Sequence, residues 1–238
     1  MRQDPSISLK TRIEEWQSLI HVCRRWRNLV FQSPRRLHLH LYCTPKTPAR
    51  DTLDIWPALP LLVEGTMSSK PGRMDNVIVA LEQSNRVRQV SLRGLVDWQF
   101  EKVLAAMQVS FPELTVLELT PNKKTLPVIP IPDSFLGGFA PRLKLFELSG
   151  ILFPGLPNLL LSATHLTHLR LSDIPHSGYI SPEAMVAVLS ALSSLETLSL
   201  GFRSPQSGPG WVSRSLPPPD RCILPALKKF IFKGVPNI

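Results

Sequence analysis

Apolar positions along the chain follow two periods. From residue 87 onward the pattern L-x-x-L-x-L recurs six times. It runs through Val87-x-x-Val90-x-Leu92, Leu114-x-x-Leu117-x-Leu119 and Leu143-x-x-Phe146-x-Leu148. It continues through Leu166-x-x-Leu169-x-Leu171, Leu195-x-x-Leu198-x-Leu200 and Leu227-x-x-Phe230-x-Phe232. The last two apolar residues of each match stand two apart, which predicts a strand with these residues inward and their neighbours outward. Upstream, Leu37–Leu41 alternates strictly with His38 and His40 and predicts a further strand, its histidines on the exposed side. Leu59–Val63 predicts another, and the two begin the sheet. Between strands the period lengthens. Met74–Asn85 reads as a helix on Met74, Val77, Ile78 and Leu81, and Asp97–Ser110 as one on Phe100, Val103, Leu104 and Met107. Ser181–Ser193 opens with an N-cap serine before Pro182 and carries Ala184, Val188, Leu189 and Leu192 on one face. Ile151–Ala163, with Pro154 and Pro157, predicts only a single helical turn.

The first positions of the six matches lie 27, 29, 23, 29 and 32 residues apart. That is near the period of about 20–29 of leucine-rich repeats. The expected fold is therefore an α/β leucine-rich-repeat solenoid, a curved sheet with helices and loops on its convex side. The usual asparagine after the strand is missing. Gly94, Gly150 and Asp173 fall near its place, so the repeat is degenerate. Ile238 follows the last strand core by six residues, which predicts an array incomplete at its C-terminus. The segments Pro121–Pro141 and Phe202–Leu224 interrupt the pattern and predict loops outside the packed core.

Residues Thr11–Gln32 predict one amphipathic helix before the first strand. Trp16, Leu19, Ile20, Cys23, Trp26 and Val30 form its apolar face, with Arg24, Arg25 and Arg27 off it. The chain thus divides into a helical head, 1–34, and a repeat domain, 35–238.

Composition narrows the classes. The chain has 238 residues, 43% of them hydrophobic and 38 of them leucine, enough for a sizeable core. No apolar run approaches the ~20 residues of a membrane span. Three widely spaced cysteines, Cys23, Cys43 and Cys222, fit a reducing compartment and hence an intracellular chain, cytoplasmic or nuclear. The net charge of +9 invites a nucleic-acid reading. Ten of the basic residues and three of the acidic ones lie in the first 50 positions, so seven of the nine units of net charge sit there and the rest of the chain is nearly neutral.

Val22-Cys23-Arg24-Arg25-Trp26-Arg27-Asn28-Leu29 resembles the closing helix of an F-box, whose hallmark is V-C-x-x-W-R. The chain is similar to fungal, basidiomycete-type F-box-like proteins with leucine-rich repeats. The shared stretches include Ser33–Leu37, Leu53–Pro60, Ile131–Gly138 and Ile174–Met185. The resemblance implies the substrate-recognition subunit of an SCF-type ubiquitin ligase. Trp16, Leu19, Ile20, Val22, Cys23 and Trp26 would face the adaptor subunit or cap the repeats. An F-box typically opens with Leu-Pro-x-Glu, which Met1–Lys10 lacks. Against that family the chain reads as clipped at both ends.

No G-x-S-x-G, P-loop, G-x-G-x-x-G or H-E-x-x-H occurs, and the six histidines show no metal-ligand spacing with cysteine. His21-x-Cys23 points two ways on a helix, and Cys23 reads as a buried thiol. No catalytic, cofactor or metal residue is expected. The arginines Arg24, Arg25, Arg27, Arg35 and Arg36 could meet phosphate. Trp26 belongs to the apolar stripe, which weighs against a stacking platform. The concave face is the candidate binding surface. Its outward columns run Gln89, Val116, Leu145, His168, Thr197, Lys229, then Ser91, Glu118, Glu147, Arg170, Ser199, Ile231, then Arg93, Thr120, Ser149, Ser172, Gly201, Lys233. Mixed charge disfavours a polyanion. Val116 and Leu145, flanked by Glu118 and Glu147 and followed by His168 and Arg170, resemble a protein-binding hot spot. Alternatively, Pro121–Pro141 folds over them. Three functions stay open: an adaptor-docked receptor for a protein target, a repeat scaffold without docking, and a nucleic-acid binder through the head.

Overall fold

The computed structural model describes residues 22–32, 38–43, 48–55, 59–67, 72–122, 129–152, 156–175, 182–203 and 222–233. The period-2 stretches become strands. These are β1 (Leu39–Tyr42), β2 (Leu61–Thr66), β3 (Val87–Leu95), β4 (Val116–Pro121), β6 (Leu145–Ser149), β8 (His168–Ile174), β9 (Thr197–Phe202) and β10 (Lys229–Lys233). They form one eight-stranded, open sheet in chain order, and every pair is parallel. A sheet built this way requires a return segment between every two strands. The result is a solenoid-like α/β fold.

Most returns are helical. The helices are α1 (Arg24–Phe31), ahead of β1, then α2 (Ala49–Ile55), α3 (Arg73–Leu81), α4 (Asp97–Ala106), α5 (Leu156–Ser162) and α6 (Pro182–Ala191). Met74, Val77 and Leu81 of α3 are buried, as are Phe100, Val103 and Leu104 of α4, in one cluster with the inward strand residues. Val90, Leu92, Leu117, Leu119, Phe146, Leu148, Leu169, Leu171, Leu198 and Leu200 all belong to it. Burying a side chain of this size is worth roughly 1.5–3 kcal/mol, so the stack of inward columns dominates stability. The described return helices thus pack on one face of the sheet.

The first leucine of the repeat has a purpose its spacing alone does not reveal. Leu114, Leu143, Leu166, Leu195 and Leu227 each donate their N–H to the carbonyl three residues back, on Phe111, Ala140, Ala163, Leu192 and Leu224, at 2.9–3.2 Å. One turn, with an apolar residue at each end, therefore aims the chain into each of these strands. At the exits, Gly94 (φ 74°), Gly150 (φ 75°) and Asp173 (φ 53°) take left-handed backbone in the place where the consensus asparagine was missing. Glycine adopts this conformation freely, and aspartate tolerates it.

Several expectations need correction. The segment Ile151–Ala163 holds about two helical turns, since Pro157 falls in the first turn of α5, where its missing N–H costs nothing. Helix α2 was not foreseen: it is short, and among its described side chains Ala49 alone is fully buried. Pro121–Pro141 is packed over its described part. The short strand β5 (Ile129–Pro130) pairs with β7 (Ile151–Leu152), and a 3-10 turn follows at Phe135–Gly138. Ile131, Phe135 and Leu136 are buried, and Leu136 donates its N–H to Met107 O at 2.7 Å. This is the return segment of its rung, made of turns in place of a helix. Most of Phe202–Leu224 lies outside the described residues.

Candidate functional site

The outward positions of the strands line up as the alternation predicts. Gln89, Val116, Leu145, His168, Thr197 and Lys229 are consecutive register partners. So are Ser91, Glu118, Glu147, Arg170, Ser199 and Ile231. Val116 and Leu145 therefore sit side by side with Glu118 and Glu147 immediately beyond, and all four are half-buried. The described part of Pro121–Pro141 does not fold over them. It joins α4 and α5 on the helical side.

Each glutamate of the pair is matched from its far side. Arg93 Nη2 lies 3.4 Å from Glu118 Oε2, and Arg170 Nη1 lies 3.4 Å from Glu147 Oε2. The two glutamates are register partners on adjacent strands, and each guanidinium comes from the strand on the outer side. Exposed pairs of this kind are individually weak. Their effect here is to fix four side chains around the apolar spot.

The face extends further than the six repeats predicted. Leu62 and Glu64 of β2 continue the two columns as partners of Gln89 and Ser91. Gln89 Nε2 donates to Glu64 Oε1 and to Ser91 Oγ, both at 3.2 Å. Burial holds the Glu64 carboxyl above its usual range, and Glu118 adds to this while Arg93 opposes it. A further outward column stands one position earlier, at Arg88, Thr115, Lys144, Thr167, Glu196 and Lys228. Its members bond in series, each successive N–H to the preceding carbonyl at 2.8–2.9 Å. The signal for both was available: Leu61-x-Val63 shares the alternation, and the residue after each first leucine shares the spacing.

Other outward positions were read wrongly. Ser149 is buried, and its Oγ donates to Asp173 Oδ2 at 2.8 Å. Gly201 is buried too, so the third column is broken in its middle. His38 and His40 are half-buried, not exposed. Burial, with Arg88 adding a smaller part, lowers the His38 pKa.

The head departs most from expectation. Trp16, Leu19 and Ile20 lie outside the described residues. Val22 is 64% exposed, Trp26 is 47% exposed, and Cys23 is exposed rather than a buried thiol. Every described side chain from Val22 to Leu29 is exposed, so in its described part α1 does not bury an apolar face. The amphipathic pattern is real, but an amphipathic helix needs a surface to cover.

Among the described residues, no group of three His, Cys, Asp or Glu side chains could hold a metal ion. None of the described helices is long and apolar enough to cross a membrane. No family model matches the chain, and neither a curated protein nor a solved structure matches it.

Proposed function

We propose that the chain is a non-catalytic protein-interaction module whose open sheet face holds a protein target. The observation that carries this reading is the half-buried Val116–Leu145 pair, framed by Glu118, Glu147 and their arginines. An apolar centre with a polar rim is how protein hot spots are built. The chain-order parallel sheet and the common turn before its strands support the leucine-rich-repeat assignment. The resemblance adds a role, substrate recognition for an SCF-type ubiquitin ligase, with α1 as the adaptor-facing element. Exposed Val22, Trp26 and Leu29 support that part, since docking requires an accessible apolar face.

The test is co-purification of the 238-residue chain with the ligase adaptor. The adaptor should be retained, and Trp26→Asp should release it. If the unaltered chain retains none, the ubiquitin role falls and the module is a repeat scaffold. The nucleic-acid alternative gains one observation, because Trp26 is half exposed beside Arg24 and Arg25. A titration with single-stranded oligonucleotides at increasing salt decides it. Phosphate contacts would make log K fall linearly with log salt. Absence of binding, or a flat response, removes this alternative.

A further inference from the structure

Glu118 and Glu147 stand in an arrangement that works against the sheet that holds them. They are register partners on β4 and β6, and like charges directly opposite destabilise a strand pair. Their cations come from the outer strands only. Arg93 on β3 meets Glu118 and Arg170 on β8 meets Glu147, each at 3.4 Å. Along β4 and β6 the glutamates are bracketed by Val116, Thr120, Leu145 and Ser149, none of them charged. Arg88 and Lys144 stand three positions back from the row of Ser91 and Glu147, about 10 Å along the strands.

The pair lies in mid-sheet, with β2 and β3 on one side and β8 and β9 on the other. It is also reachable. The Glu118 and Glu147 side chains are 20% and 24% exposed, and those of Arg93 and Arg170 are 68% and 49% exposed.

The surroundings of the carboxylates select the shape of the cation that suits them. Val116 and Leu145 precede them by two residues, about 6.6 Å along a strand. An extended arginine side chain covers that distance, with its methylenes on the apolar pair and its head at the carboxylates. The planar guanidinium donates from more than one edge, so a single group can serve both glutamates, whereas an ammonium is a compact and strongly hydrated point charge. A neutral or acidic side chain in the same place leaves the like charges unrelieved.

We propose that this face recognises an arginine of its protein target. The stem lies across Val116 and Leu145, the guanidinium bridges Glu118 and Glu147, and Arg93 and Arg170 hold the carboxylates from outside. The inference rests on the reading of this face as a protein-binding surface and adds the chemistry of the partner.

The probe is a blocked pentapeptide, Gly-Leu-Arg-Leu-Gly, titrated into the 238-residue chain up to about 10 mM and followed by amide NMR, which reads millimolar affinities. Analogues carry Gln or Lys in place of the central Arg. The arginine peptide should shift the amides of Val116, Glu118, Leu145 and Glu147 and bind roughly fivefold or more tightly than the glutamine peptide. The lysine peptide should bind more weakly than the arginine peptide. Glu118→Gln/Glu147→Gln should erase the preference while the amide spectrum away from the face stays unchanged. The proposal is overturned if the glutamine or lysine peptide shifts the same amides with equal affinity, and the reading of the face as a protein-binding surface then stands. It is also overturned if the preference survives in the double variant, because the cation is then read elsewhere. If no peptide moves these amides, the inference and the reading beneath it both fall.

Discussion

Phe146 and Phe230 stand in the same inward column, three strands apart, yet the first is wholly buried and the second is 58% exposed. Local sequence does not separate them. Each is the middle apolar residue of an L-x-x-F-x-[LF] match, and each follows the same turn. What differs is the number of neighbours. Among the described residues, Phe146 has a strand on either side, whereas Phe230 has one. The other end of the sheet differs, because Leu39 and Leu41 of β1 reach core burial with a single strand partner among the described residues. In a repeat architecture, then, a residue's energetic weight is set by its rung's neighbours as much as by its own pattern.

Truncating the two phenylalanines breaks the comparison most directly. Phe146→Ala should cost about 3–5 kcal/mol, the range for a fully buried aromatic whose cavity cannot collapse. Urea unfolding followed by circular dichroism reads this as a lower midpoint. A loss under about 1 kcal/mol would mean that neighbouring strands close over the gap.

Strand exits sharpen the same contrast at the level of backbone. A Cβ at Gly94 would stand 3.2 Å from Met67 O on the preceding rung, at a φ of +74°. Gly94→Ala should therefore cost about 1–3 kcal/mol, combining strain at a left-handed position with a crowded carbonyl. Asp173→Gly provides the control. It relieves the φ of 53° but removes the acceptor of Ser149 Oγ, so the two effects oppose each other. The variant should stay within about 1 kcal/mol of the parent in the same assay.

Phe230→Ala should cost under about 1 kcal/mol, because over half of the side chain already meets water. A loss as large as that of Phe146→Ala would show that the end rung is sealed in solution, and the difference between middle and edge would vanish.

These residues also mark how far the sequence could be read. The inward and outward columns were legible because a strand's period is 2 and one face is buried. Val116, Leu145, Glu118 and Glu147 fell together for that reason alone. The exposure of Phe230 was not legible, since burial at an edge depends on what lies beyond the strand. The same holds for the head, where Cys23 and Trp26 belong to an apolar stripe with no core behind its described part. The return through Ile131, Phe135 and Leu136 escaped detection because it buries its residues through turns. Leu136 takes a φ of 56°, which no helical or strand period can signal. The Arg93–Glu118 and Arg170–Glu147 pairs required the register between strands, which repeat spacing fixes only once the repeats are aligned.

The smallest expected effect concerns the open face over the middle rungs. Glu64 on β2 has a raised pKa, chiefly because burial penalises its charged form and secondarily because of Glu118, with Arg93 acting the other way. The folded state thus holds the Glu64 proton more tightly than the unfolded chain does. Stability from this group is fully present below the ordinary carboxylate pKa and is lost as pH rises through the raised value. Glu64→Gln imitates the protonated state at every pH and keeps an oxygen to accept from Gln89 Nε2. Its urea midpoint should match that of the parent in acid and exceed it slightly at neutral pH. Arg93→Gln removes the opposing charge and should widen that gap when placed in the Glu64 parent. A Glu64→Gln variant less stable than its parent at neutral pH would mean that the carboxylate contributes as an anion. The face would then draw part of its order from charge pairing across β2, β3 and β4, and the difference between its middle and its edge would be electrostatic as well as steric.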